Sequence, residues 1–251
     1  MSFRVSRVVN KCDSNSGVYV NGGTLNLYEG RIAENKGQKQ GENKDRYGGG
    51  VYVEKSGTFN MYGGTITENN ADYGGGVYVK SGTFNMYGGS IKKNTSDGGS
   101  GAGVYVEKSG TFNMKNTASV TGNTIGYGST AGYGAGVYVN GGTFEMRNSA
   151  SVKDNTANNI SGSSGGGVYV NSGPEAGQDG TFHMYGGEVS GNRAAKNGGG
   201  EFVYGNFTVS GSATITAAMA GGYQQECTVR NSVTSASSSG SASSASLSLN
   251  K

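Results

Sequence analysis

Three aspartates are the acidic residues of this chain whose spacing could do chemistry. Asp45, Asp72 and Asp97 each come just before a glycine-rich segment; Asp45 and Asp72 hold the same offset and Asp97 is displaced by one residue. If these segments stack, the carboxylates lie about 5 Å apart and repel one another unless a cation or a basic side chain joins them. The trio is therefore a candidate calcium site. The other interpretation is that aspartate is simply a good turn residue.

A catalytic group is harder to assemble from this sequence. Hydrolysis of acidic polysaccharides needs grouped carboxylates beside a His, Arg or Lys, and the single histidine, His183, stands where other copies of a repeat have a surface Asn. No Cys and His spacing suits zinc, and no nucleophile has a recognisable base. We therefore expect no catalytic residues and no obligate cofactor. A polysaccharide lyase, using calcium on the three aspartates, or a hydrolase is the alternative.

Aromatic residues recur at one position and offer binding chemistry. The tyrosines in the middle of Val-Tyr-Val are Tyr19, Tyr52, Tyr78, Tyr105, Tyr138 and Tyr169, and Phe202 continues the series. Tyrosine combines a flat apolar ring with a hydroxyl, so an exposed row could bind a sugar or a protein; the candidate ligand-binding residues are Tyr52, Tyr78, Tyr105, Tyr138 and Tyr169. The competing interpretation is that tyrosine is a good strand residue that stacks on itself.

One repeat gives these residues their positions. Gly-Val-Tyr-Val begins at residues 17, 50, 76, 103, 136 and 167, with a changed copy, Gly-Glu-Phe-Val, at 200. Gly-Thr-Phe-Asn-Met or a variant follows, and then a segment with a single aliphatic residue, from Ile32 in the first copy to Ile215 in the last. The apolar spacing of two and the β-branched and aromatic residues predict β-strands, which we number one, two and three within each repeat.

A single repeat cannot bury its apolar side chains, but stacked repeats can. Coils about 4.8 Å apart form parallel sheets around a continuous core. The tightest copies, Val51, Val77 and Val104, are 26 and 27 residues apart, which suits one turn of a three-sheet helix. The sequence therefore predicts an all-β fold, a right-handed parallel β-helix of about seven coils of three short strands.

Alternation along the strands predicts the side-chain directions. The residues predicted to be buried in the second coil are Val51, Val53, Phe59, Met61 and Ile66. Those predicted to be exposed are Tyr52, Thr58 and Asn60.

The chain divides into three parts by this pattern. Residues 1–16 are too short for a full coil and are predicted to be a partial leading coil, residues 17–221 are the repeats, and residues 222–251 are a Ser/Ala/Gly-rich segment predicted to be a flexible tail. Extra residues fall at corners, and the insertions expected to cluster on one edge are 36–49, 124–135 and 156–166.

Composition excludes several classes of function. A net charge of +3 on 251 residues is too small to favour nucleic acid as a partner, and no apolar stretch approaches the length of a membrane span. The start of the chain has no continuous apolar segment of the kind a signal peptide requires. Glycine supplies 49 residues but proline only one, which excludes collagen, and the regular aromatic positions argue against disorder.

An asparagine follows the strand-three aliphatic residue by three positions in six repeats. These residues are Asn35, Asn69, Asn94, Asn123, Asn155 and Asn192. Asparagine tolerates left-handed backbone and its amide can bond the next coil, so we expect a structural column. Together, Gly-Gly-Gly-Val or Gly-Ala-Gly-Val and Ile/Val-x-x-Asn resemble the polymorphic outer-membrane-protein and adhesin-like repeat families, although Ile or Val stands where those families have Phe.

That resemblance covers nearly all of residues 17–217. It implies a secreted or cell-surface β-helix used for adhesion or display, with a glycan or protein on a host or neighbouring cell as partner. The uncovered ends of a solenoid add a further expectation, end-to-end self-association.

Overall fold

The structure is a computed structural model, and its described ranges are residues 8–9, 16–39, 45–126, 132–158, 162–172, 178–216 and 228–229. Within these ranges the regular elements are β-strands, and strands of successive coils pair in parallel. The chain is a right-handed parallel β-helix, which confirms the predicted fold class. None of the described ranges forms a helix with the length and hydropathy needed to cross a bilayer.

Strand one forms a sheet of its own. Its strands are Val18–Asn21, Val51–Glu54, Val77–Val79, Val104–Glu107, Val137–Asn140, Val168–Asn171, Glu201–Val203 and Thr228–Val229. Tyrosine pairs with tyrosine in register along it, as Tyr52 with Tyr78 and Tyr78 with Tyr105. The last strand lies within the segment predicted to be a tail; the remainder of that segment is outside the described residues.

Strands two and three share a second sheet. The separate strands two are Thr24–Leu27, Thr58–Met61, Thr83–Met86, Thr111–Met114 and Thr143–Met146. The separate strands three are Val8–Val9, Arg31–Ala33, Thr65–Thr67, Ser90–Lys92, Ser119–Thr121 and Ser151–Lys153. Two long strands, Thr181–Ser190 and Asn206–Ile215, run through both positions and join the two stacks. Val8 pairs with Ile32, so strand three of a leading coil is present.

A third sheet lies at the corner after the asparagine column. Its short strands, which we call the corner strands, are Gln38–Lys39, Arg46–Tyr47, Asn70–Tyr73, Thr95–Ser100, Thr124–Ile125, Thr156–Ala157 and Arg193–Ala194. The insertions predicted to share one edge begin in this sheet, which confirms their placement. The pairing is parallel except between Gln38–Lys39 and Arg46–Tyr47.

The main core is the column of predicted inward residues. Val51, Val53, Phe59, Met61 and Ile66 have no exposed surface, as predicted. The phenylalanines of strand two stack face to face, with ring centroids 4.8 Å apart between the second and third coils. Each coil therefore extends the same contacts by one layer.

The asparagine column and the glycines before strand one form a single structural device. Asn94 Nδ2 donates to Asn123 Oδ1 at 3.0 Å and to the carbonyl oxygen of Ile66 at 3.1 Å, so both amide protons are satisfied. A Cβ on Gly76 would lie 3.1 Å from Asn94 Nδ2 and 2.5 Å from the carbonyl oxygen of Gly103. The glycine is needed because the column packs against bare backbone. The bonding role of the column is confirmed, but the left-handed residue is the one before it, as at Lys93, where φ is 54°.

Candidate functional site

The tyrosines of strand one are buried, and the prediction that they are exposed is wrong. The exposed fractions are 0% for Tyr52, 3% for Tyr78, 7% for Tyr105, 8% for Tyr138 and 5% for Tyr169. Tyr19, in the first coil, is the exception among the Val-Tyr-Val tyrosines of the described coils, with 45% exposed. We call the five buried rings and Phe202 the covered ladder.

Tyrosines of the corner sheet cover this ladder. Tyr47 meets Tyr78 edge-on with ring centroids 5.1 Å apart, and Tyr73 meets Tyr105 edge-on at 5.6 Å. Tyr133, from the fourth-coil insertion, lies 4.7 Å from Tyr169. The alternation itself is right, since the flanking valines fill the main core and the tyrosines point away from it into a second apolar cluster.

The phenol hydroxyls of Tyr52, Tyr78 and Tyr105 have protein partners, and Tyr52 donates to Glu54 at 3.3 Å. Tyr78 donates to Glu107, and Asn140 Nδ2 donates to the hydroxyl of Tyr105 at 3.0 Å. Burial raises the pKa of Tyr78 and of Tyr105 well above the ordinary tyrosine value. These hydroxyls therefore stay protonated, and the rings are packed into the fold and do not form an open aromatic strip on the surface.

The structure brings Asp72 and Asp97 together around an arginine. Arg46 Nη2 lies 3.1 Å from Asp72 Oδ1 and 3.3 Å from Asp97 Oδ2. Hydrogen bonding to Asp72 raises the pKa of Arg46. Asp45 directly precedes Arg46 in the chain. Arg46 supplies the positive charge that the stacked carboxylates need.

Calcium at the three aspartates stays a prediction. Within the described ranges, no three His, Cys, Asp or Glu side chains are grouped so as to hold a metal ion. An ion at Asp72 and Asp97 would have to displace the guanidinium of Arg46.

His183 lies on the outer side of strand two, in register with Glu145 and Thr208. Its Nδ1 is buried and has no hydrogen-bond partner within the described ranges. Glu145 is bound instead to Arg147, whose Nε lies 3.1 Å from the carboxylate, and the Arg147 guanidinium covers the ring of Tyr185 at 4.0 Å. The carboxylate beside His183 is therefore already paired with a cation.

An exposed tyrosine row, which the sequence reasoning missed, follows strand two. Tyr28 and Tyr62 stack with ring centroids 4.9 Å apart, and Tyr62 and Tyr87 stack at 5.0 Å. Tyr28 is 46% exposed and Tyr62 44%. The signal was present in Asn-Met-Tyr-Gly-Gly at 60–64 and 85–89, because alternation continued one residue past Met places this tyrosine outside.

Asparagines form a second ladder beside that row. Asn60 Nδ2 donates to Asn26 Oδ1 at 2.8 Å, Asn85 to Asn60 at 2.9 Å and Asn113 to Asn85 at 2.9 Å. A threonine row lies beyond the asparagines on the same outer side, and Thr58 pairs in register with Thr24 and Thr83.

Three coils thus carry an identical outer triplet, which we call the Thr–Asn–Tyr face. Its residues are Thr24, Asn26, Tyr28, Thr58, Asn60, Tyr62, Thr83, Asn85 and Tyr87. The face contains no Asp, Glu, Lys, Arg or His residue. In the next two coils Lys115 and Arg147 replace the tyrosine, so the uncharged surface ends there.

The fold and these columns define the class of protein, a right-handed parallel β-helix built on an internal asparagine ladder. No protein-family model, curated protein or solved structure matches the chain. The resemblance to outer-membrane and adhesin-like repeats stays a prediction.

Proposed function

We propose that this chain is a non-catalytic adhesion or display module of the cell surface that binds a neutral, extended polysaccharide along its Thr–Asn–Tyr face. The observation that carries the proposal is the stack of the exposed rings of Tyr28 and Tyr62, continued by the half-buried ring of Tyr87, beside rows of amides and hydroxyls. In this proposal the Thr–Asn–Tyr face has the binding role that was predicted for the tyrosines of the covered ladder.

The hydrogen-bonding capacity of the face supports a sugar as ligand. A primary amide has two N–H donors and two acceptor positions. Within the ladder Asn60 donates one proton to Asn26 and accepts one from Asn85, which leaves one donor and one acceptor position turned to solvent. Sugar hydroxyls both donate and accept, so each rung offers them a matching pair. The phenol and threonine hydroxyls add further pairs on either side.

The repeat and the charge of the face support an uncharged polymer. Identical triplets recur at the coil spacing of about 4.8 Å, so a chain of repeating units lying along the helix axis meets the same groups several times. Many weak contacts of this kind add up to useful avidity. A polyanion would gain nothing from a surface without cations.

Polysaccharide lyase or hydrolase activity is the alternative, and no contact of the described residues favours it. Both reactions need a free base beside carboxylates. In the described residues Arg46 bonds Asp72 and Asp97, and Arg147 bonds Glu145 beside the single histidine. Binding without turnover is therefore the function we favour.

Affinity electrophoresis through gels containing neutral or acidic polysaccharides tests the proposal. We expect a neutral polysaccharide to retard the chain and Tyr62→Ser to reduce the retardation. Tyr204→Ser is the matched control, because Tyr204 is also exposed, at 37%, but lies outside the face. Retardation by acidic polysaccharides alone, or an equal loss in both variants, would refute the proposal. Release of unsaturated or reducing sugars would favour the enzyme.

A further inference from the structure

A separate cleft opens where the corner sheet meets the covered ladder. Its volume is about 320 Å³, and its lining residues are Tyr47, Tyr73, Tyr78, Lys80, Tyr105 and Glu107. Ligand sites of small molecules begin at about this size and combine apolar walls with a few converging polar groups. The cleft lies over strand one and the corner strands, whereas the Thr–Asn–Tyr face lies on strand two.

Two hydroxyls at this cleft have no hydrogen-bond partner among the residues that the structure describes. Tyr78 and Tyr105 are bonded to Glu107 and Asn140, but the hydroxyls of Tyr47 and Tyr73 make no hydrogen bond to any residue that the structure describes. Burial raises the pKa of both tyrosines above the usual value, so their hydroxyls remain protonated at neutral pH. Each can therefore donate one hydrogen bond and accept another.

The charges around the cleft disfavour an anion. Lys80 is the cation of the lining and lies 3.6 Å from Glu54, while Glu107 is the carboxylate of the lining. The negative charges of Asp45 and Asp72 also act on Tyr47 and Tyr73, since they raise the pKa of both phenols. A carboxylated or sulfated ligand would meet Glu107, while Lys80 is paired with Glu54 and Arg46, next to Tyr47 in the chain, is paired with Asp72 and Asp97.

We propose that this cleft binds a single neutral sugar residue, through the hydroxyls of Tyr47 and Tyr73 and the polar ends of Lys80 and Glu107. Adjacent donors and acceptors of this kind match the vicinal hydroxyls of a sugar ring. The ring edges of Tyr78 and Tyr105 supply the apolar floor. The cleft shares no lining residue with the Thr–Asn–Tyr face, so this proposal does not depend on the proposed polysaccharide binding.

Ligand-observed NMR on the whole chain tests the cleft. The probes are glucose, galactose, mannose and N-acetylglucosamine, with glucuronic acid as the anionic comparison. We expect at least one neutral sugar to bind with a Kd of about 1 mM, a level accessible to this method. The double variant Tyr47→Phe/Tyr73→Phe removes only two oxygen atoms and keeps the rings that cover the ladder. It should weaken binding about tenfold or more, because two hydrogen bonds are lost.

Tyr133→Phe is the matched control, because Tyr133 covers the same ladder two coils further on and does not line the cleft. It should leave the affinity unchanged. Glu107→Gln keeps an acceptor for Tyr78 and gives a second variant should the double change disturb the fold; it should also weaken binding. The proposal is overturned if no neutral sugar binds, if glucuronic acid binds more tightly, or if the two phenylalanines leave the affinity unchanged.

Discussion

The covered ladder and the tyrosine row of the Thr–Asn–Tyr face are both stacks of tyrosine rings from successive coils, but they have opposite environments. Tyr78 is 3% exposed and Tyr62 is 44% exposed, although both point away from the main core. The difference is the corner sheet, which places Tyr47 and Tyr73 over one row and leaves the other bare. In this solenoid, the direction of a side chain and its burial are therefore separate properties.

The two asparagine ladders show the same contrast between a buried and an outer row. Asn94 lies in the buried column and is fully enclosed, whereas Asn85 bonds its neighbours on the outer surface. The first ladder is part of the core, and the second leaves hydrogen-bonding capacity for a ligand. The following predictions exploit these matched pairs.

Asn94→Ala should have the largest effect on stability. It removes the acceptor of the main-chain N–H of Asn69 and of Asn69 Nδ2, both at 3.0 Å. Two buried donors left without an acceptor cost about 1–3 kcal/mol each, so the free energy of unfolding should fall by about 2–6 kcal/mol. Asn85→Ala should cost less than about 1 kcal/mol. Urea denaturation measures both, and similar losses would contradict the assignment of one ladder to the core.

Tyr78→Ala should destabilise the chain by about 3 kcal/mol, near the lower end for a large buried aromatic residue, while Tyr62→Ala should cost about 0.5 kcal/mol or less. Denaturation midpoints of the two variants provide the measurement. A larger loss of stability from Tyr62→Ala than from Tyr78→Ala would show that Tyr62, and not Tyr78, lies in the buried row.

Glu201 is a buried residue in the coil that carries Phe202, the last ring of the covered ladder. It occupies the strand-one valine column, paired with Val168, and neither carboxyl oxygen has a hydrogen-bond partner in the part of the chain that the structure describes. Burial raises its pKa to about 8 from an ordinary 4.5. Since the folded chain holds this proton more tightly than the unfolded chain, stability should be greatest below pH 4.5, fall as the pH rises and level off above pH 8.

Glu201→Val should remove this pH dependence and raise stability at pH 8 by about 1–3 kcal/mol, the usual penalty for an unsatisfied buried polar group. Glu201→Gln is the control, since it abolishes the titration but keeps a polar side chain. Thermal midpoints of the three chains between pH 4 and pH 9 give the comparison. Identical pH profiles in all three would show that the carboxyl is not buried.

The sequence was sufficient for the fold and for the register of the core, because a period-two pattern repeated in every coil fixes which side faces inward. It was insufficient for the outer surface. Tyr78 and Tyr105 alternate as outward residues, and Tyr47 and Tyr73 cover them. Tyr47, Tyr73 and Tyr133 each stand four residues before the first valine of a strand one, but that spacing alone does not indicate which surface the rings cover. The same holds for Arg46, which bonds two of the three aspartates and belongs to no repeat.

The exposed row could have been found from the sequence. Tyr62 and Tyr87 continue the alternation of strand two by one residue, and the glycines that follow make the turn. The exposure of that row could not have been predicted, because no pattern in the sequence indicates which corner segments fold over which sheet.

Nitration of tyrosines by tetranitromethane, mapped by mass spectrometry with and without a neutral polysaccharide that retards the chain, tests the central claim most directly. Tyr28 and Tyr62 should be nitrated in the free chain and protected by the polysaccharide. Tyr78 and Tyr105 should remain unmodified in both conditions because their rings are covered. Nitration of Tyr78 as rapid as that of Tyr62, or polysaccharide binding that leaves Tyr28 and Tyr62 as reactive as before, would contradict the account.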